Sequence, residues 1–101
     1  MNLIKQNQLF DEMFQFYCDE CRKTKSDLIN AKGSDTKLKT IFVGILYKDY
    51  NFSGQFLSEK FNCKPPQIHN YLAQLENAVK GNVLKETYTY AREKMKKEFN
   101  E

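Results

Sequence analysis

Apolar residues return every three or four positions through almost the whole of this chain, and no stretch alternates with period two for the length of a strand. That period points to an all-α fold. Phe10, Met13, Phe14, Tyr17 and Cys21 form one stripe, which predicts a helix from about Leu3 to Lys23. Ser26 is placed to cap a short continuation through Ala31 that Gly33 would end. Ser34 or Asp35 then caps TKLKTIFVGILYKDY, whose buried stripe is Leu38, Ile41, Phe42, Ile45 and Leu46. Val43 and Tyr47 make that segment apolar around much of its girth, and such a helix belongs at the centre of a small bundle.

Ser53 caps a short helix, GQFLSEKF, that runs out at Asn62. Pro65 and Pro66 open the next one, because proline suits a first turn whose N–H groups have no partner. That helix carries Ile68, Leu72, Leu75 and Val79 on one side and stops at Gly81. A last helix from near Asn82 shows Leu84, Tyr88, Ala91, Met95 and Phe99 on one face, with Lys85, Arg92 and Lys96 on the other. With 101 residues, 41% of them hydrophobic, the chain is expected to be a single helical domain. Its parts are an N-terminal segment (1–33), a core (34–81) and a C-terminal amphipathic helix (82–101).

The residue types limit the function classes. No apolar run approaches the ~20 residues of a membrane span, and MNLIKQNQLFDEMF has acids inside its apolar stretch, unlike a signal peptide. Three cysteines (Cys18, Cys21, Cys63) are too few and too unevenly spaced for a disulfide scaffold, so a reducing cytoplasm is expected. The sequence has no Gly-rich phosphate loop, no H-E-x-x-H and no base beside a nucleophile except the lone His69, so no enzyme is expected. Cys18-Asp19-Glu20-Cys21 is a C-x-x-C that could join Cys63 and His69 in a tetrahedral zinc site. Its cysteines also fit the apolar side of the first helix, and the expectation is no metal and no cofactor.

Charge is divided unevenly. Residues 1–36 hold five Lys/Arg against six Asp/Glu, a balance of −1, whereas residues 37–101 hold eleven against seven, a balance of +4. The basic part suits an anionic partner, of which nucleic acid is the commonest. Lys85, Arg92, Lys96 and Lys97 could follow a phosphate backbone, but Glu86, Glu93 and Glu98 among them make a solvated, salt-bridged face the better account.

Residues 54–72, GQFLSEKFNCKPPQIHNYL, read as a short helix, a three-residue turn and a second helix, the order of a helix-turn-helix. Ser58 is the small residue such a crossing needs, and Asn62 tolerates the left-handed backbone of the turn. Leu57, Phe61, Cys63, Ile68, Tyr71 and Leu72 would pin the two helices; an ordinary helical corner would use the same residues. The run KTIFVGILYKDY, NFSGQFLS, EKFN, KPPQIHNYLAQLE (about residues 39–75) resembles the C-terminal DNA-binding domain of the bacterial replication initiator DnaA. The resemblance implies a shared Trp-repressor-like helical scaffold; double-stranded DNA is the partner expected from the helix-turn-helix order and the basic balance of residues 37–101. Where that family carries an Arg-Asp-His-Thr-Thr-Val-type signature this chain has Cys63-Lys64-Pro65-Pro66-Gln67-Ile68, which keeps the apolar anchor alone.

A helix entering the major groove makes its contacts from its first turns. The outward positions are Lys64, Gln67, His69, Asn70, Ala73 and Gln74. Gln and Asn can pair bidentately with adenine, and Lys64 can reach guanine or phosphate. His69 can donate to a phosphate or a base edge. The helix carries no arginine, the commonest guanine reader. The expected function is therefore a DNA-binding module, a small transcriptional regulator or replication-linked factor, with monomer and homodimer both open. An Asn-, Lys-, Phe-, Tyr- and Ile-rich composition fits an AT-rich genome such as that of a phage or mobile element. The alternative is a protein-interaction adaptor that docks a partner on the acidic, aromatic first helix, Phe10 to Tyr17.

Overall fold

The computed structural model describes residues 3–82 and 84–100. Met1, Asn2, Val83 and Glu101, which the ranges above include, lie outside the described residues. Six helices account for most of the rest: α1 (Leu3–Cys21), α2 (Lys25–Ile29), α3 (Asp35–Tyr50), α4 (Gly54–Lys60), α5 (Pro65–Lys80) and α6 (Lys85–Phe99). Among the described residues there is no strand.

The helix with apolar residues around its girth is the centre. All eight residues from Lys39 to Leu46 are buried, and α3 packs against α2, α5 and α6. Its approach to α5 is very close. A Cβ on Gly44 would collide with the Leu75 side chain, with the Tyr88 ring next nearest at 4.0 Å. The α1 side is different, because large rings fill it. Phe42 stacks with Phe14 (centroids 5.3 Å apart) and Tyr17 (4.6 Å), while Phe10 meets Phe52, Phe56 and Phe61 at 5.7–6.2 Å. Leu28 of α2, Leu57 of α4, Ile68 of α5 and Met95 of α6 complete one continuous hydrophobic cluster.

Several helix boundaries differ from those expected of the sequence, each for a local reason. α1 ends at Cys21 rather than Lys23 because Arg22 is left-handed (φ 58°) and the Lys23 N–H turns back to the Cys18 carbonyl at 3.0 Å. Thr24, not Ser26, caps α2. Its Oγ1 accepts from the Asp27 N–H and Asp27 Oδ2 accepts from the Thr24 N–H, both at 3.0 Å, a reciprocal capping box. α2 stops at Ile29, before Ala31, and Gly33 (φ 59°) lies in the loop beyond. Ser34 occupies the position before α3 in helical conformation, with no side-chain cap bond. Ser53 does cap α4, accepting from the Phe56 N–H at 3.0 Å. α5 begins at the proline pair and stops at Gly81, both as expected, with Asn82 (φ 62°) the left-handed residue beyond, whereas α6 starts at Lys85 rather than near Asn82.

Buried polar contacts tie the helices together as well. Lys39 is only 5% exposed; its Nζ donates to the Ile29 carbonyl at the end of α2 (2.9 Å) and lies over the rings of Tyr71 (5.1 Å) and Phe61 (5.6 Å). The carbonyl that α2 leaves unpaired thus meets a cation, which suits the negative end of a helix. Tyr17 donates its hydroxyl to the Leu38 carbonyl at 2.6 Å, and burial pushes its ionisation well above the ordinary tyrosine range.

Candidate nucleic-acid interface

The turn between α4 and α5 is built by its own residues. Ser58, 2% exposed, donates Oγ to the Gln55 carbonyl at 2.8 Å and so turns its hydroxyl back into α4, leaving room for α5 to cross. Asn62 takes the left-handed conformation (φ 53°), its N–H returning to the Glu59 carbonyl at 3.3 Å and that of Cys63 to the Ser58 carbonyl at 2.8 Å. Those two bonds close α4 in the pattern that usually calls for glycine. The connection has four residues, Phe61 to Lys64, rather than the three expected of the sequence. Leu57, Phe61 and Ile68 are fully buried beneath it; Cys63, Tyr71 and Leu72 are half-buried.

Lys64, Gln67, His69, Asn70, Ala73 and Gln74 are all exposed. They are not equivalent. With 3.6 residues per turn, Asn70 and Ala73 occupy the middle of the outward face, Gln67 and Gln74 one flank and His69 the other. Gln67 already serves the fold, since its Oε1 accepts from the Lys64 N–H at 3.2 Å, at the first turn of α5. Its Nε2 remains to donate and its Oε1 keeps a second lone pair, so a two-pronged pairing with adenine would share that oxygen with the Lys64 N–H. His69 meets the Tyr47 ring edge-on at 6.4 Å, and a Cβ on Gly54 would come 3.9 Å from its Nε2. It therefore sits where the end of α3 and the start of α4 reach α5. Asn70 and Gln74 make no side-chain hydrogen bond among the described residues.

The surrounding charge is mixed. Lys64 stands in a shallow depression with Ser58, Asn62 and Glu59, whose carboxylate accepts from Gln55 at 3.0 Å. Lys60 lies over the rings of Phe56 (5.5 Å) and Phe10 (5.6 Å) and serves packing as much as charge. Lys48, in the last turn of α3, is exposed.

Arg92 is salt-bridged, as the acids of its segment led one to expect, but to an acid of another helix rather than to a glutamate of α6. Its Nε and Nη2 donate to the two oxygens of Asp49 at 2.8 and 2.9 Å, and its guanidinium lies 5.2 Å over the Tyr88 ring. It fastens α6 to the end of α3. The adaptor expectation meets a difficulty, because Phe10, Met13, Phe14 and Tyr17 are all buried in the core. A partner of α1 would meet Asp11, Glu12, Gln15 and Asp19 instead. The three cysteines are free thiols, and burial raises Cys18 to about 11 and Cys21 above the ordinary range. Among the described residues no group of three or more His, Cys, Asp or Glu side chains is gathered to hold a metal ion, and no helix is long and apolar enough to cross a membrane.

Compared with known proteins, the chain matches no protein-family model, no curated protein and no solved structure.

Proposed function

We propose that this chain is a DNA-binding module of the helix-turn-helix kind, with α5 entering the major groove. The observation that carries the reading is the pairing of α4 and α5: a buried Ser58 at their crossing, a left-handed Asn62 between them, and an outward α5 face whose Asn70 and Gln74 are exposed and uncommitted. Amide side chains can read base edges, and Lys64, at the position just before α5, is exposed at the start of that face to meet a phosphate. The resemblance of residues 39–75 to the DnaA DNA-binding domain adds to this reading as a scaffold, since the family's reading signature is absent here.

Titration of the full chain with random and AT-rich duplexes at low salt tests it. Affinity should fall steeply as salt rises, because neutralised phosphates release counterions. Lys64→Ala should weaken every sequence alike, whereas Asn70→Ala or Gln74→Ala should relax sequence preference by about 1–3 kcal/mol per lost base pairing. Absence of binding on the order of 10–100 µM, where non-specific DNA binders register, would sink the reading and leave α4 and α5 as a helical corner. A protein adaptor would then be the better account, with the exposed acids of α1 as its docking face.

A further inference from the structure

On the side of the molecule formed by α1 and α6 lies a recess of about 250 Å3, lined by none of the residues assigned to DNA. Buried Tyr17 and Met95 form its floor, and half-buried Phe16, Leu38 and Ala91 its walls. The Tyr17 hydroxyl is already committed to the Leu38 carbonyl, so the floor asks for an apolar occupant. The volume is somewhat below the ~300–1,000 Å3 of sites for drug-sized ligands, which favours a smaller molecule.

The mouth has a different character. Glu20 and Lys94 face each other there at 3.9 Å, longer than a hydrogen bond, with side chains 42% and 44% exposed. Lys94 is steered partly by the Tyr90 ring, 5.5 Å from its Nζ. Each charge therefore keeps hydrogen-bonding capacity to spare. A ligand carrying a carboxylate alone would satisfy Lys94 and place a second anion beside Glu20. An amine alone would do the reverse. A molecule with both charges on one end and an apolar group on the other satisfies the mouth and the floor together.

We propose that this recess binds a small zwitterion with an apolar body, the chemical class of the free hydrophobic α-amino acids. The ligand carboxylate accepts from Lys94 Nζ, its ammonium donates to Glu20, and its side chain lies against Met95, Tyr17 and Ala91. The site is independent of the DNA reading and stands or falls separately from it.

Calorimetric titration of the full chain at low salt tests this with L-leucine and L-phenylalanine, and with 3-phenylpropionate and phenethylamine as analogues lacking one charge. L-phenylalanine should bind, and each analogue should bind roughly ten-fold or more weaker, the share of one charge-assisted contact. Ala91→Leu should fill the recess and abolish binding. Because that change could disturb packing, the double variant Glu20→Gln, Lys94→Met provides a second check: it removes a loosely paired surface contact that contributes little to folding. With circular dichroism unchanged, it should bind L-phenylalanine no better than wild type binds the analogues. No binding of L-phenylalanine at millimolar concentration, equal binding of the three phenyl compounds, or an unaffected double variant would each overturn the proposal.

Discussion

Against α1, the central helix meets rings: Phe42 stacks between Phe14 and Tyr17 and lies 6.1 Å from Phe61. Against α5 the same helix offers Gly44, where a single added carbon would strike Leu75. One interface is wide and filled with rings; the other is narrow, with the Leu75 side chain of α5 lying against the bare backbone of Gly44. The wide interface draws its stability from aromatic area. The narrow one fixes where α5 lies and therefore where Asn70 and Gln74 point. Stability and the placing of the candidate interface thus reside on opposite sides of one helix, and substitutions can pull the two apart.

The largest effect is expected on the ring side. Phe42→Ala removes a fully buried ring and should cost about 3–5 kcal/mol in chemical denaturation, a large part of the roughly 5–15 that holds a domain together. DNA affinity per folded molecule should be unchanged. Gly44→Val attacks the other side. Overpacking there should cost about 1–3 kcal/mol, and the displaced α5 should lose DNA affinity even in protein shown to be folded. If Gly44→Val leaves DNA affinity intact while Phe42→Ala abolishes it in folded protein, the division of labour is wrong.

Tyr17 ties the ring side to pH. Its folded ionisation is raised above the ordinary 10.0 by burial, so its contribution is complete below pH 10 and is lost as the pH rises beyond that value. Cys18, raised by burial from 9.0 to about 11, adds a loss that begins near pH 9. Stability should therefore fall on the alkaline side from about pH 9 upward. Tyr17→Phe keeps the stacked ring and loses the bond to Leu38, costing about 1 kcal/mol at neutral pH. It should also flatten the alkaline decline above pH 10, which a pair of denaturation series would read directly. Arg92→Met, on the remaining tie between α3 and α6, should cost about 1 kcal/mol or less, since the guanidinium is partly exposed and its pairing screened. DNA affinity should change little, against the 85–97 basic face as a phosphate track.

How far the sequence discloses this arrangement follows from the range of each interaction. The eight buried residues of α3 are legible because apolar girth is a local property of TKLKTIFVGILYKDY. Ser53, Asn62 and the proline pair are legible for the same reason: caps and turns are made by neighbours in the chain. Ser26 misleads within that class, since Thr24 with Asp27 three residues later satisfies both ends of a capping box. Arg22 and Asn51 as left-handed helix stops are less legible, because no glycine marks them. Lys39 is hidden altogether: the Ile29 carbonyl and the Tyr71 ring that hold it belong to other helices. The same is true of Asp49 with Arg92, 43 positions apart in the chain. Of the candidate interface, the exposure of all six residues is readable, but not that Gln67 caps its own helix or that His69 leans on Tyr47.

Gln67 gives the finest test of the comparison, because one residue holds a structural and a candidate recognition role. Its Oε1 accepts the Lys64 N–H at the start of α5, and its Nε2 remains to donate. Gln67→Glu keeps the acceptor and places a negative charge in the first turn of a helix, where the macrodipole favours it. Thermal stability should stay the same or rise by a few tenths of a kcal/mol. DNA binding should move the other way, since the carboxylate cannot donate to an adenine N7 and repels nearby phosphates. Gln67→Ala should instead lower stability by about 0.5–1 kcal/mol through the lost cap bond while weakening DNA binding less than the glutamate does. Opposite signs for stability and affinity in Gln67→Glu would place this residue on the DNA-facing side of α5. A glutamate variant that binds duplex as tightly as wild type would take Gln67 out of the interface and leave it solely as the cap of its helix.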